Sequence, residues 1–186
     1  MGEKTVFQDD FSGDFDKGWS WLREVPNDWR KAAQGLEVCV RPGLADTVKN
    51  ALVREAPDRR HGRFVVEVTV YSHTVPTQQY EQAGITWYSG GKPVFKEVKE
   101  LIDGDIYIIP GQPPMASQSV RLRLIVSADS WEAQYRPEGE SAFLTAATGE
   151  LPPPDTDQVS IQCYNGPEEG DHWIRFEDFV IRAIDD

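Results

Sequence analysis

The feature that most constrains this chain is a two-residue alternation of apolar and polar side chains, repeated along almost its whole length. In Arg63 to Tyr71, the residues Phe64, Val66, Val68 and Val70 form one row, while Arg63, Glu67, Thr69 and Tyr71 form the other. Val120, Leu122, Leu124 and Val126 repeat the apolar row, with Arg121 and Arg123 between them. Val159, Ile161 and Cys163 do so again, opposite Gln158, Ser160, Gln162 and Tyr164. Successive side chains of a strand point to opposite faces, so this period marks strands with one buried face. A helical period is almost absent.

Strand-like runs cover Lys4 to Phe7, Trp19 to Arg23, Leu36 to Arg41, Ala51 to Glu55, Arg63 to Tyr71 and Tyr80 to Tyr88. They continue over Val94 to Ile102, Ile106 to Ile109, Ser119 to Ser127, Trp131 to Arg136, Gln158 to Tyr164 and Trp173 to Ile184. Turn chemistry separates them, as at Ser89-Gly90-Gly91, Asp103-Gly104 and Asn165-Gly166-Pro167. Many short strands with short connections predict an all-β sandwich of two antiparallel sheets in one domain, residues 1–186. Leu151-Pro152-Pro153-Pro154 reads as a loop crossing between the sheets, because another strand pair follows it.

The charge excludes some partners. Thirty-one acidic against 19 basic residues give −12, which argues against nucleic acid and anionic lipid as partners. No apolar run approaches the ~18 residues of a membrane span. The first residues lack the apolar stretch of a signal peptide, so the expected address is cytoplasmic. Cys39 and Cys163 lie in strand-like runs and read as two buried thiols. His61, His73 and His172 stand apart from one another, and no cofactor motif is present.

The hairpin Tyr80 to Gly104 is the strongest functional signal. Ala83, Ile85 and Trp87 fall on one side of its first strand, and Gln82, Thr86 and Tyr88 on the other. The second strand carries Lys96 and Glu100, with Glu97 on the opposite parity. A face holding an amide, a phenol, an ammonium and a carboxylate suits a polar, ring-shaped ligand. Gln162, Tyr164 and Tyr71 extend the outward set, and Trp29 is a candidate wall. Aromatic rings stack on the apolar face of a sugar while amides and carboxylates take its hydroxyls. Lys96 either orients Glu100 or meets an anionic sugar.

Trp19-Ser20-Trp21-Leu22-Arg23-Glu24-Val25-Pro26-Asn27-Asp28-Trp29 resembles the entry motif of the concanavalin A-like family typified by regulation of enolase protein 1. Leu36 to Gly43 resembles its next strand, and Glu81-Gln82-Ala83-Gly84 with Lys96, Glu100, Asp103 and Gly104 its central hairpin. The β-sandwich at the C-terminus of family 43 glycoside hydrolases is similar in the same places. The chain departs from the pattern at Val94 and at Leu44-Ala45-Asp46-Thr47-Val48, where aromatics are frequent.

The resemblance implies a concanavalin A-like jelly roll and, through the wider fold, recognition of a carbohydrate or another small polar ligand. Three functions follow as alternatives. One is a non-catalytic, lectin-like module using Gln82, Tyr88, Lys96, Glu100, Gln162 and Tyr164, with Tyr71 and Trp29 as walls. A second is a glycoside hydrolase or lyase with Glu81 and Glu100 as its working carboxylates, if they approach across the hairpin. The third is an intracellular interaction module regulating a metabolic enzyme. Sandwiches of this class often tie their termini with a structural Ca²⁺, for which Asp10 and Asp178 are the candidate ligands.

Overall fold

A computed structural model describes residues 2–15 and 18–184. Residues 1, 16, 17, 185 and 186, including both ends of the single-domain span read from the sequence, lie outside the described residues. The strands are β1 (Glu3–Asp9), β2 (Ser20–Leu22), β3 (Trp29–Ala32), β4 (Gly35–Cys39), β5 (Ala51–Glu55), β6 (Arg63–Ser72) and β7 (Gln82–Ser89). They continue with β8 (Lys92–Ile102), β9 (Asp105–Ile109), β10 (Ser119–Val126), β11 (Ser130–Pro137), β12 (Leu144–Glu150), β13 (Asp157–Tyr164) and β14 (Trp173–Ile184). Short 3-10 turns at Pro26–Asp28 and Arg59–His61 are the helical elements among the described residues, and no helix there is long and apolar enough to cross a membrane.

Two antiparallel sheets form a jelly-roll sandwich, as the alternation predicts. One runs β12-β11-β10-β6-β14-β4-β3, with β1 also paired to β14; the other runs β2-β5-β13-β7-β8-β9. Two strands escape sequence reading. Neither β3 nor β12 has a clean apolar row; β12 (Leu-Thr-Ala-Ala-Thr-Gly-Glu) is mostly exposed.

The core lies where the apolar rows meet. Val66, Val68, Val70, Leu122 and Leu124 from one sheet pack with Ile85, Trp87, Val159 and Ile161 from the other, all fully or almost fully buried. Each such side chain contributes about 1.5–3 kcal/mol of transfer free energy. Gly84 is required by close approach, since a Cβ there would lie 2.2 Å from the Glu97 carbonyl oxygen.

Arg59 holds the crossing loop. Its guanidinium is buried, pairs with Asp157 at 2.6 Å, and donates to the carbonyl oxygens of Ser127, Ala128 and Pro152. One side chain thus ties the Pro-rich loop to the β10–β11 turn and the start of β13. Removing either member of such a pair leaves an uncompensated buried charge, a loss of about 3–5 kcal/mol.

Glu97 is the exception in the core. It pairs with Ile85 across the β7–β8 ladder, shares that strand's inward parity, and is 0% exposed with no hydrogen-bond partner on either carboxylate oxygen. Desolvation pushes its pKa well above the usual carboxylate range, and the backbone of Arg123 and Gln134 in the facing sheet offsets little of it. Orphaning one polar group costs about 1–3 kcal/mol, which one or two neighbouring core side chains offset.

The neutral form fits the fold, so this group's contribution is greatest below the unfolded-state value and falls as pH rises through the window up to its raised folded-state value. Glu97→Gln keeps the side chain neutral throughout. Its thermal midpoint, followed by circular dichroism, is expected to exceed that of the parent protein by an amount that grows from acidic to neutral pH. A constant difference, or one that shrinks with pH, would contradict this placement.

Candidate functional site

The outer face of the six-stranded sheet carries the candidate site. The ladder registers set Tyr164 beside Gln82 and Gln82 beside Glu100, with Ser160, Thr86 and Lys96 aligned four residues away on the same face. Parity separates the charged residues of β8. Lys96 and Glu100 face outward, whereas Glu97 and Lys99 face inward. Lys99 donates to Ser72 Oγ and the carbonyl oxygens of Ser117 and Gln118, and burial lowers its pKa to about 8.

Gln82, Lys96 and Glu100 form a closed network. Lys96 Nζ donates to Gln82 Oε1 at 2.7 Å and to Glu100 Oε2 at 2.9 Å. Gln82 Nε2 donates to Glu100 Oε1 at 3.2 Å and to the Tyr80 carbonyl oxygen at 2.9 Å. Lys96 thus bridges Glu100 and Gln82. With Tyr164, this network floors a hollow of about 580 Å³ walled by Leu44, Ala45, Asp46, Tyr80, Pro93 and Asn165.

Tyr164 is buried, and its hydroxyl has no hydrogen-bond partner among the described residues. Burial first, then the charge of Glu100, pushes its pKa up, so the hydroxyl stays protonated. The rim is partly apolar. Leu44 is 63% and Tyr80 51% exposed, and Tyr80 holds a left-handed backbone (φ 66°) as the chain enters β7.

Tyr88 and Gln162 share this sheet face but lie under a cover. The Tyr88 hydroxyl sits 3.0 Å from Gln162 Oε1 and 3.2 Å from the Ala45 carbonyl oxygen, and Ser160 Oγ donates to the same amide oxygen at 2.9 Å. Burial raises the Tyr88 pKa. Val48, fully buried, plugs the cover against Ala51, Val53 and Tyr164. Gln162 Nε2 and Thr86 Oγ1 are left buried without partners.

The remaining sequence candidates fall elsewhere. Tyr71 lies on β6, in the other sheet, where Arg175 stacks on its ring at 4.4 Å and His73 meets it edge-on. Alternation reports which side of a strand faces out, but not which sheet the strand joins. Trp29 is not a wall of the hollow. Its ring packs against Trp21 at 4.9 Å and Phe15 at 5.4 Å, beside the core, and its indole N–H donates to Glu24.

Glu81 and Glu100 do not share a cleft. Glu81 has the parity of inward-facing Ala83; its carboxylate accepts from the backbone N–H groups of Thr77 and Gln78 and lies 2.7 Å from His172 Nδ1. Asp10 and Asp178 border one surface hollow, alongside the guanidinium groups of Arg121 and Arg182. Hydrogen bonding from Ser12, by its side chain first and then its backbone N–H, lowers the Asp10 pKa, and neighbouring Asp9 is engaged by Phe11 N–H and Trp19 Nε1. Among the described residues, no group of three or more His, Cys, Asp or Glu side chains gathers to hold a metal. Asp9 and Asp14 line the same hollow, so four carboxylates border it beside the two guanidinium groups.

Sequence reasoning missed Tyr80, Asn165 and the Leu44–Asp46 wall. Asn165 donates from Nδ2 to the Gln79 carbonyl oxygen, so the wall is built by loops, where period carries no information. The signal within reach was Tyr80, a large aromatic placed just before a strand.

No protein-family model matches the chain, nor does any curated protein match it in sequence. Solved structures do match in fold. The GH43 BlXynB protein from Bacillus licheniformis superposes with a TM-score of 0.73 at 17% identity, over 95% of this chain and 39% of that one. A functionally unknown protein from Saccharomyces cerevisiae gives 0.61 at 14% identity, over 91% and 98% of the two chains. The CBM2 module of Lactobacillus casei BL23 phage J-1 evolved Dit gives 0.57 at 9% identity, over 99% and 98%. The chain thus spans about two fifths of the GH43 protein. At these identities the likeness is one of fold, and it places a sandwich from a GH43 protein among the structural neighbours, as the sequence resemblance implies.

The network gives a direct expectation. Lys96→Met leaves Glu100 Oε2 and Gln82 Oε1 without their donor, and should cost about 1–2 kcal/mol after discounting for the partly exposed lysine. Adding Glu100→Gln should recover part of that loss in urea denaturation. Strictly additive losses would mean that the three side chains do not act together.

Proposed function

We propose that the chain is a non-catalytic, lectin-like module that binds a carbohydrate on the outer face of its six-stranded sheet. The observation that carries this reading is the hollow itself. It joins a rigid amide–ammonium–carboxylate network to a free tyrosine hydroxyl and an exposed tyrosine ring. Amphipathic rims of this kind suit sugar rings, which offer an apolar face and a hydroxylated edge. The reading draws further support from the printed names of the structural neighbours, a GH43 protein and a CBM2 module; fold analogy alone carries little about function. Membership of the regulation of enolase protein 1-like family belongs to the same proposal, resting on the Glu81–Gly84, Lys96, Glu100 and Asp103–Gly104 hairpin.

Gln82, Lys96, Glu100 and Tyr164 contact the ligand in this reading, with Tyr80 as the stacking platform. Tyr88 and Gln162 support the floor from beneath the cover. A glycan-array screen of the parent protein should return a defined set of hits, with and without Ca²⁺. Tyr80→Ala, an exposed change that spares the core, and the Gln82→Ala, Tyr164→Ala double variant should each lose them, with folding checked by circular dichroism. A blank array, or hits unchanged in both folded variants, would rule out this site.

A further inference from the structure

The hollow's hydrogen-bonding inventory also selects the chemistry of its occupant. We infer that it takes an uncharged, hydroxyl-rich ligand, a neutral glycan, and rejects glycans bearing carboxylate, sulfate or phosphate groups. This inference rests on the carbohydrate reading and narrows it.

Most of the floor's N–H donors are spent. An ammonium carries three N–H groups, and Lys96 commits two of them to Gln82 and Glu100. Both N–H groups of the Gln82 amide are engaged by Tyr80 and Glu100. One of the two N–H groups of Asn165 Nδ2 goes to the Gln79 carbonyl oxygen. What remains for a ligand is one Lys96 N–H, the Tyr164 hydroxyl, the second N–H of the Asn165 amide and, on the rim, the Tyr80 hydroxyl.

The acceptors are not spent. The Asp46 carboxylate and Asn165 Oδ1 have no hydrogen-bond partner among the described residues, and both line the hollow. Each Glu100 oxygen accepts one bond from its neighbours and keeps a lone pair. Acceptors therefore outnumber donors, so the ligand must donate more than it accepts. Sugar hydroxyls do this, whereas an anionic group only accepts.

Charge acts in the same direction. Lys96 is the single cation lining the hollow, against the two carboxylates Glu100 and Asp46, and the whole chain carries −12. An anionic sugar would leave water for a site with one free ammonium N–H and a repelling wall, without an arginine fork to receive it. A neutral ligand avoids that desolvation cost.

The test is calorimetric titration of the intact chain with two probe sets: neutral pentose and hexose oligosaccharides, and oligosaccharides of uronic acids. Neutral probes should bind, with an affinity that hardly moves between low and high salt, because no net charge is neutralised. Uronic-acid probes of matched length should bind at least about tenfold more weakly, equivalent to 1.4 kcal/mol. Equal or tighter uronate binding that weakens with salt would overturn the inference while leaving the carbohydrate reading in place. No heat from either set, with the protein shown to be folded, would overturn both.

Discussion

The packing of two apolar sheet faces against each other fixes everything else in this molecule. Once Ile85, Trp87, Val159 and Ile161 are committed to the interior, the two-residue period of a strand leaves no freedom for Gln82, Tyr88, Ser160, Gln162 or Tyr164. A slip of one residue in β7 would turn Trp87 to the outer face and Gln82 into the apolar core, a change costing several core side chains at once. The candidate site is thus a by-product of core register. Its polar residues are held outward by what lies behind them.

That constraint also explains the buried charges. Parity sends Glu97 and Lys99 inward by the same rule that sends Lys96 and Glu100 outward. Lys99 reaches the edge of the sandwich, where Ser72, Ser117 and Gln118 accept from it. Glu97 sits deeper and finds no partner. Of two charged residues in the core, one is satisfied and the other stays neutral.

Much of this was legible in the sequence, and the reasons for the failures are specific. Alternation correctly placed Gln82, Lys96, Glu100 and Tyr164 on the outward side, and the ladder registers bring those four together. It misplaced Tyr71 because a period has no knowledge of sheet membership; β6 pairs with β10 and β14, across the sandwich from β7. It treated Tyr88 and Gln162 as open surface because the 44–48 segment that covers them is a loop held by long-range contacts. Trp29 looked like a wall, but pairwise aromatic packing with Trp21 and Phe15 draws it toward the core. Glu81 and Glu100 lie on different segments of the hairpin, and only the register, with Gln82 opposite Glu100, shows that they face opposite sides.

The central claim is that the ligand occupies the hollow floored by Gln82, Lys96, Glu100 and Tyr164. The most direct measurement is a map of backbone amide chemical-shift changes on adding a pool of neutral oligosaccharides to labelled protein. The account predicts changes concentrated at Tyr80, Gln82, Lys96, Glu100, Tyr164 and Asn165, with Ala45 and Asp46 on the facing wall. Changes confined to the outer face of the other sheet, around Tyr71, Arg121 and Arg175, would contradict it.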